Sequence, residues 1–480
     1  MTKGSSEKVL IAAVAALIVA TFMMHWIAAF SGIPILDGDA LYFSPCIYND
    51  AIGIGFTHPF WEVIPNNPGK LCIWHGWLYP HLAALLPWSK SYQTIGVSNL
   101  VLCVLSFLLS AVAVFLISKK NHVIAVLLCL PITLLVLHQV GRPELVVTGL
   151  IASAGIVLAT SAKGITQRVA LGALLGITAA ASPSAGVCYA LVTAELSVIR
   201  SRNFKDFLHD TLSQAMISVL MLLVATSLFA PVRLGAWLNG ITSNATTHII
   251  LRESSTTLLK YYVFNPGFPL LAIYFIPVAV AIHLSVRKVM GWRKCLLLWL
   301  FVAQIAYVFY TAVRIPEANY NFMILIPAVL FADAHFVTTE PASKWLRYAI
   351  ISVSGVAAIA LMYTNLTVFS SLTGITQPEF ALGMKVLSGQ TGLVRTDMAF
   401  GVPLAEVIGY KHVSVAPDTR DASYIVVKQA NSSALIPPQI PGYKIMINRF
   451  QQDSPRLFGI KIGNTRKDWS YAIFCRSDIC

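Results

Sequence analysis

Charge is what this chain has least of. Of its 480 residues only 11% are Asp, Glu, Lys or Arg, whereas 56% are apolar, and the mean hydropathy is +0.71. A water-facing domain carries about 25% charged residues. The shortfall excludes a cytosolic enzyme, a disordered chain and a disulfide-stapled secreted peptide. Carboxylates are almost absent from the middle of the apolar runs, where a transport pathway would place one. No internal repeat is evident, which disfavours an inverted-repeat transporter. What remains is a polytopic membrane protein. Its surplus of 34 Lys and Arg over 21 Asp and Glu then reports orientation before it reports a polyanionic partner, and no nucleic acid is expected.

Apolar stretches of about 20 residues predict spans near 8–30, 95–118, 123–140, 144–161, 209–230, 266–286, 295–313, 322–338 and 347–364. The stretch between Arg168 and Arg200 is broken by Ser182-Pro183-Ser184 and is flanked by basic residues on both sides. It reads as a tight hairpin, which brings the membrane segments to eleven. With the N-terminus in the cytoplasm, the cytoplasmic loops carry fifteen Lys and Arg and the opposite, longer loops seven. This asymmetry puts the C-terminus outside.

From about Ser370 the apolar runs shorten. Thr391–Asp397, Ala422–Lys428, Tyr443–Arg449 and Leu457–Ile462 read as strands, and Pro403–Gly409 as a short helix. The expected division is therefore a transmembrane domain over 1–365, including a first outer loop at 31–94, and a soluble α/β domain over 366–480. That tail has neither a glycine-rich phosphate loop nor Cys/His metal spacing, so no cofactor is assigned to it. Cys46 with Cys72, and Cys475 with Cys480, fall two by two in segments assigned to the outside, where an oxidising compartment lets each pair close.

The acidic residues gather instead at the outer ends of spans: Asp37 and Asp39, Glu144, and Glu317. Asp37-Gly38-Asp39, just after the first span, is the strongest cluster. One carboxylate of such a pair can act as general base while the other orients it or ligates a divalent cation. The plainer alternative is a solvated helix exit in which both satisfy a turn. The loop that follows is rich in Trp61, Trp74, Trp77, Tyr79 and Trp88, which suits an interfacial position. Arg142 and Arg314 stand at outer span ends, where forked hydrogen bonds would hold a lipid phosphate. Their alternative roles are snorkelling to headgroups or pairing with Glu144 and Glu317.

Taken in order, a D-x-D motif ahead of Tyr42, His75-Gly76-Trp77-Leu78-Tyr79-Pro80 in the first loop, Gly141-Arg142-Pro143-Glu144, Arg314-Ile315-Pro316-Glu317 running to Tyr320, and a soluble outer tail resemble the GT-C superfamily of integral-membrane glycosyltransferases. The resemblance covers roughly 1–365. It implies transfer of a sugar from a polyprenyl-phosphate donor to a hydroxyl of an envelope glycan or lipid, outside a bacterial inner membrane and with inversion at the anomeric carbon. It also implies Asp39 as general base, with Asp37 as the fallback because Ala40 stands where many members have Glu. Arg142, Arg314 and Glu144 would serve the donor phosphate, and His75, Tyr42, Tyr320 and Glu317 would line the substrate site. Some members use a divalent cation; Asp37 and Asp39 with His58 or His75 are the possible ligands, but no required metal is expected. The rival readings are a lipid-linked-sugar flippase or solute transporter, and an O-antigen polymerase or ligase.

Overall fold

The computed structural model describes residues 3–32, 40–60, 70–73, 75–118, 122–161, 164–250, 291–300, 302–303, 342–372, 375–390, 392–415, 422–428, 440–449, 456–457, 460–461 and 470–480. The proposed spans at 266–286 and 322–338 and most of 295–313 lie outside these residues, although 292–300 is helical.

Apolar runs make most of the helices. They are α1 (Lys3–Phe30), α2 (Ala40–Ala51), α3 (Leu78–Ala84), α4 (Ile95–Ile117), α5 (His122–His138), α6 (Glu144–Thr160), α7 (Ile165–Ala181), α8 (Pro183–Arg200), α9 (Phe204–Phe229), α10 (Leu234–Ile250) and α11 (Ala342–Ser371). Four described stretches are long and apolar enough to cross a membrane: Ser6–Phe30, Tyr92–Leu116, Phe204–Phe229 and Ile350–Ser371. Helices α5, α6 and α7 are apolar but have 17 residues each, about 26 Å at the helical rise and slightly short of a hydrocarbon core of about 30 Å.

The expected hairpin breaks where the sequence places it. Ser182 ends α7 and caps α8, its side chain accepting from the Ala185 amide, and Pro183 takes the first helical position, where its missing N–H costs nothing.

Two compact units emerge. The first comprises Met1–Ile18, Ile73–Tyr79 and Leu102–Ile359; the second comprises Val19–Cys72, Pro80–Val101 and Ala360–Cys480. Most of the first loop falls in the second unit, with Ala360–Cys480.

Within the first unit, small residues let helices approach closely. A Cβ at Gly176 of α7 would run into the Ser218 carbonyl of α9, and one at Gly172 would lie 2.9 Å from Ile217. The Ser218 hydroxyl donates to the Gly172 carbonyl at 2.9 Å. Such contacts suit helices that lie in lipid, where apolar burial gives no push between them.

The second unit holds the C-terminal sheet. Its strands are β1 (Val394–Thr396), β2 (Val413–Ser414), β3 (Tyr424–Lys428), β4 (Tyr443–Arg449) and β7 (Tyr471–Arg476), in the order β2-β1-β3-β7-β4. Strand β1 runs parallel to β2 and β3, and β7 antiparallel to β3 and β4. The segment expected as one strand near 457–462 instead contains part of a small antiparallel pair, β5 (Arg456–Leu457) with β6 (Ile460–Lys461). The helix expected from Pro403 begins earlier, as α13 (Met398–Ile408), because Asp397 accepts from the Phe400 amide and caps it. Ahead of the sheet lies α12 (Gln377–Met384), opened by a capping box between Thr376 and Glu379. Phe380 of α12 packs against Phe400 at 4.6 Å between centroids, and edge-on to Tyr471 at 5.3 Å. These rings build the core of the tail.

Candidate functional site

Site residues in the first unit begin at the α5–α6 turn. Gly141 takes a positive φ of 87°, and Pro143 stands immediately before α6 with Glu144 in its first turn. The turn points Arg142 into the protein: it is 1% exposed and Glu144 3%. The Arg142 Nε–H donates to Glu144 Oε2 at 3.3 Å. Burial at this level excludes snorkelling for Arg142 and identifies pairing with Glu144 as one of its roles.

Beside the pair lie two buried polar residues that the motif does not contain. The Thr148 hydroxyl bonds Gln139 Oε1 at 2.7 Å, while Gln139 Nε2 is buried with no hydrogen-bond partner among the described residues. A glutamine in an apolar helix reads as filler, and only its burial beside Thr148 marks it.

The His75–Tyr79 segment enters the same unit. The His75 carbonyl accepts from the Trp237 indole at 2.9 Å, and the Trp77 indole donates to the Thr226 hydroxyl at 3.2 Å. Gly76 lies against the Ala181 carbonyl so closely that no Cβ fits, which is the physical requirement for glycine in this motif. His75 itself is half-buried. Tyr79 is fully buried, and burial first, then the nearby Glu144 charge, pushes its phenol well above the usual range.

In the second unit the first loop is tightly held. Cys46 of α2 and Cys72 are joined by a disulfide with Cα atoms 6.2 Å apart, and Cys475 and Cys480 form a second. Asp50 Oδ2 pairs with His81 Nδ1 at 2.7 Å. His58 is buried, its amide bonded to the Lys70 carbonyl at 2.9 Å. Glu406 of α13 accepts from the Ser91 hydroxyl at 2.9 Å and from the Tyr92 amide at 3.0 Å. The Tyr410 hydroxyl donates to Asn49 Oδ1 at 2.7 Å. The sequence does not mark Glu406 or Tyr410, because their partners lie more than 300 residues away.

Of the residues singled out from sequence, Arg142 and Glu144 are therefore brought together, with Tyr79 near Glu144. Asp37, Asp39, Arg314, Glu317 and Tyr320 lie outside the described residues, as does the side chain of Tyr42. Among the described residues no group of three or more His, Cys, Asp or Glu is placed to hold a metal ion. No protein-family model matches the chain, and no curated protein matches it.

Proposed function

We propose that the chain is an inverting glycosyltransferase of the GT-C type. It transfers a sugar from a polyprenyl-phosphate donor to a hydroxyl of an envelope glycan or lipid on the outer side of a bacterial inner membrane. In this reading about eleven segments cross the bilayer, the N-terminus is cytoplasmic and the C-terminal domain periplasmic. The observation that carries the proposal is the buried Arg142–Glu144 pair at the R-P-E element. A guanidinium withdrawn from water is costly even when paired, and an ionisable group kept inside a membrane protein marks a working site by default.

The chemistry follows from the residues. The acceptor oxygen attacks the anomeric carbon from the face opposite the phosphate, the carbon–oxygen bond to phosphate breaks, and the acceptor proton passes to Asp39 or, failing that, Asp37. The departing lipid phosphate gains negative charge, which Arg142 and Arg314 offset. Glu144 orients Arg142.

The test uses the full chain in lipid nanodiscs, a panel of polyprenyl-phosphate hexoses and pentoses, and an envelope lipid extract as acceptor. Free polyprenyl phosphate should accumulate with one donor. Asp39→Asn should abolish release without affecting insertion; loss at Asp37→Asn alone would move the base to Asp37. Full activity with both replaced overturns the mechanism. In proteoliposomes, a donor that crosses the bilayer uncleaved would favour a flippase.

A further inference from the structure

Helix α9 begins at Phe204, capped by the Asn203 side chain, and its 26 residues are long and apolar enough to cross a membrane. Its first turn therefore stands at headgroup level. A second helix starts beside that turn. Trp292, the first residue of helix 292–300, meets Phe204 edge-on at 5.4 Å and Phe207 at 6.0 Å between centroids, and Leu297 further along shares a buried core with Val198 and Phe207. The Arg293 guanidinium lies over the Trp292 ring at 5.9 Å and donates through Nη2 to the Arg202 carbonyl at 3.0 Å. Two segments 91 residues apart thus place Arg202, Lys205, Arg293 and Lys294 within two residues of one aromatic contact. Arg202, Lys205 and Lys294 are exposed, and none of these three side chains forms an ion pair among the described residues. Neighbouring carboxylates do not cancel them: Asp206 stands alone in the same turn, and Asp210 already pairs with Arg168 at 3.2 Å. Leading away from this basic end, Phe204, Leu208, Leu212 and Met216 recur every four residues along α9, and all are exposed. They form one apolar ridge.

We propose that this end of α9 binds an anionic phospholipid: the headgroup phosphate rests against Arg202, Lys205 and Lys294, and an acyl chain follows the ridge. The inference is independent of the glycosyltransferase reading and needs only that α9 crosses a bilayer. Charge in a single loop sets orientation. Charge drawn from two helices, locked together by the Trp292 ring and the Arg293 guanidinium, instead gives a fixed cationic edge at headgroup level. Arg293 is half-buried and committed to the Arg202 carbonyl and the Trp292 face, so the three exposed cations are the ones that meet phosphate oxygens. A zwitterionic headgroup brings a cation of its own into the same patch and gains less, and a soluble phosphate has no chain to lay along the ridge.

The experiment places the full chain in nanodiscs of phosphatidylglycerol and phosphatidylcholine in equal amounts and reads the lipids it retains by native mass spectrometry. Each variant is first shown by thermal unfolding in detergent to be as stable as the wild type. The wild type should retain phosphatidylglycerol over phosphatidylcholine. Lys205→Gln combined with Lys294→Gln should lower that preference about 30-fold, and Arg202→Gln alone about fivefold. Arg233→Gln, which removes an exposed cation beyond the other end of α9, should leave it unchanged, and soluble glycerol phosphate should not displace the retained lipid. Equal retention of the two lipids by the wild type, or a preference that survives both the double variant and Arg202→Gln, overturns the site. An equal loss at Arg233→Gln also overturns it, since the effect is then the general attraction of a basic protein for acidic lipid. Displacement by glycerol phosphate makes the ligand a free phosphate and overturns the lipid.

Discussion

Each of the two compact units is held together internally by its own physics. In the first, helices meet through Gly172, Gly176 and Gly76, each facing a neighbouring backbone or side chain with no room for a Cβ, and charge is internalised as the Arg142–Glu144 pair. In the second, two disulfides, the aromatic cluster of Phe380, Phe400 and Tyr471 and hydrogen bonds to the Glu406 carboxylate do the joining. Lipid offers helices no hydrophobic incentive to associate, so steric fit and buried polar pairs must supply it. The second unit, whose helices are joined by a sheet, draws on apolar burial and covalent links as well.

Breaking the buried pair should have the largest effect. Glu144→Ala leaves the buried Arg142 without its carboxylate and is expected to destabilise the fold by about 3–5 kcal/mol, whereas replacing both residues by apolar ones should recover much of that. Thermal inactivation midpoints in detergent decide it; equal losses for the single and double variants would show that Arg142 is held chiefly by other groups.

Next come the disulfides of the second unit. Cys46 and Cys72 are 26 residues apart, so Cys46→Ser should cost about 3.5 kcal/mol by loop entropy, against about 2 for Cys480→Ser, whose partner is five residues away. A larger loss at Cys480 would reverse the order.

The smallest effect is a pH dependence. Burial raises the Glu406 carboxyl above its ordinary range, and the hydrogen bonds from Ser91 and Tyr92 pull it only part of the way back. The folded state therefore holds this proton more tightly than the unfolded chain. Its stabilisation is complete below the ordinary carboxylate range of about 4.3 and is lost as pH rises through the raised value. Tyr48 and Tyr410, its phenolic neighbours, are themselves pushed up by burial first and do not titrate in that window. Glu406→Gln should flatten the decline in unfolding midpoint with rising pH; an unchanged slope would assign it to other groups.

Much of this was legible in one dimension. Charge-free apolar runs place α1, α4, α9 and α11, and a Ser-Pro at the right spot splits α7 from α8, because helix propensity and capping are local. The cysteine pairs were legible because each falls within one stretch between or beyond the apolar runs. Strand β7 was not: Tyr471-Ala472-Ile473-Phe474-Cys475 is a continuous apolar run, buried along its length, and lacks the alternation that announces a strand with one wet face. Where a single strand is expected near 457–462 the structure has a pair of two-residue strands, each too short to show a period.

By itself the amino-acid sequence determined that the chain is apolar over most of its length, where most of its described helices lie, and which residues form the R-P-E and D-x-D elements. Those properties are set by neighbours within a few turns. Only the tertiary structure decided that Arg142 is buried against Glu144 rather than reaching outward, and that Gln139 and Thr148 accompany it. It alone brought Gln377 to Gly32, Glu406 to Ser91 and Tyr92, and Tyr410 to Asn49. Contacts between residues 300 or more positions apart depend on how whole helices and a sheet pack, and no local pattern encodes that.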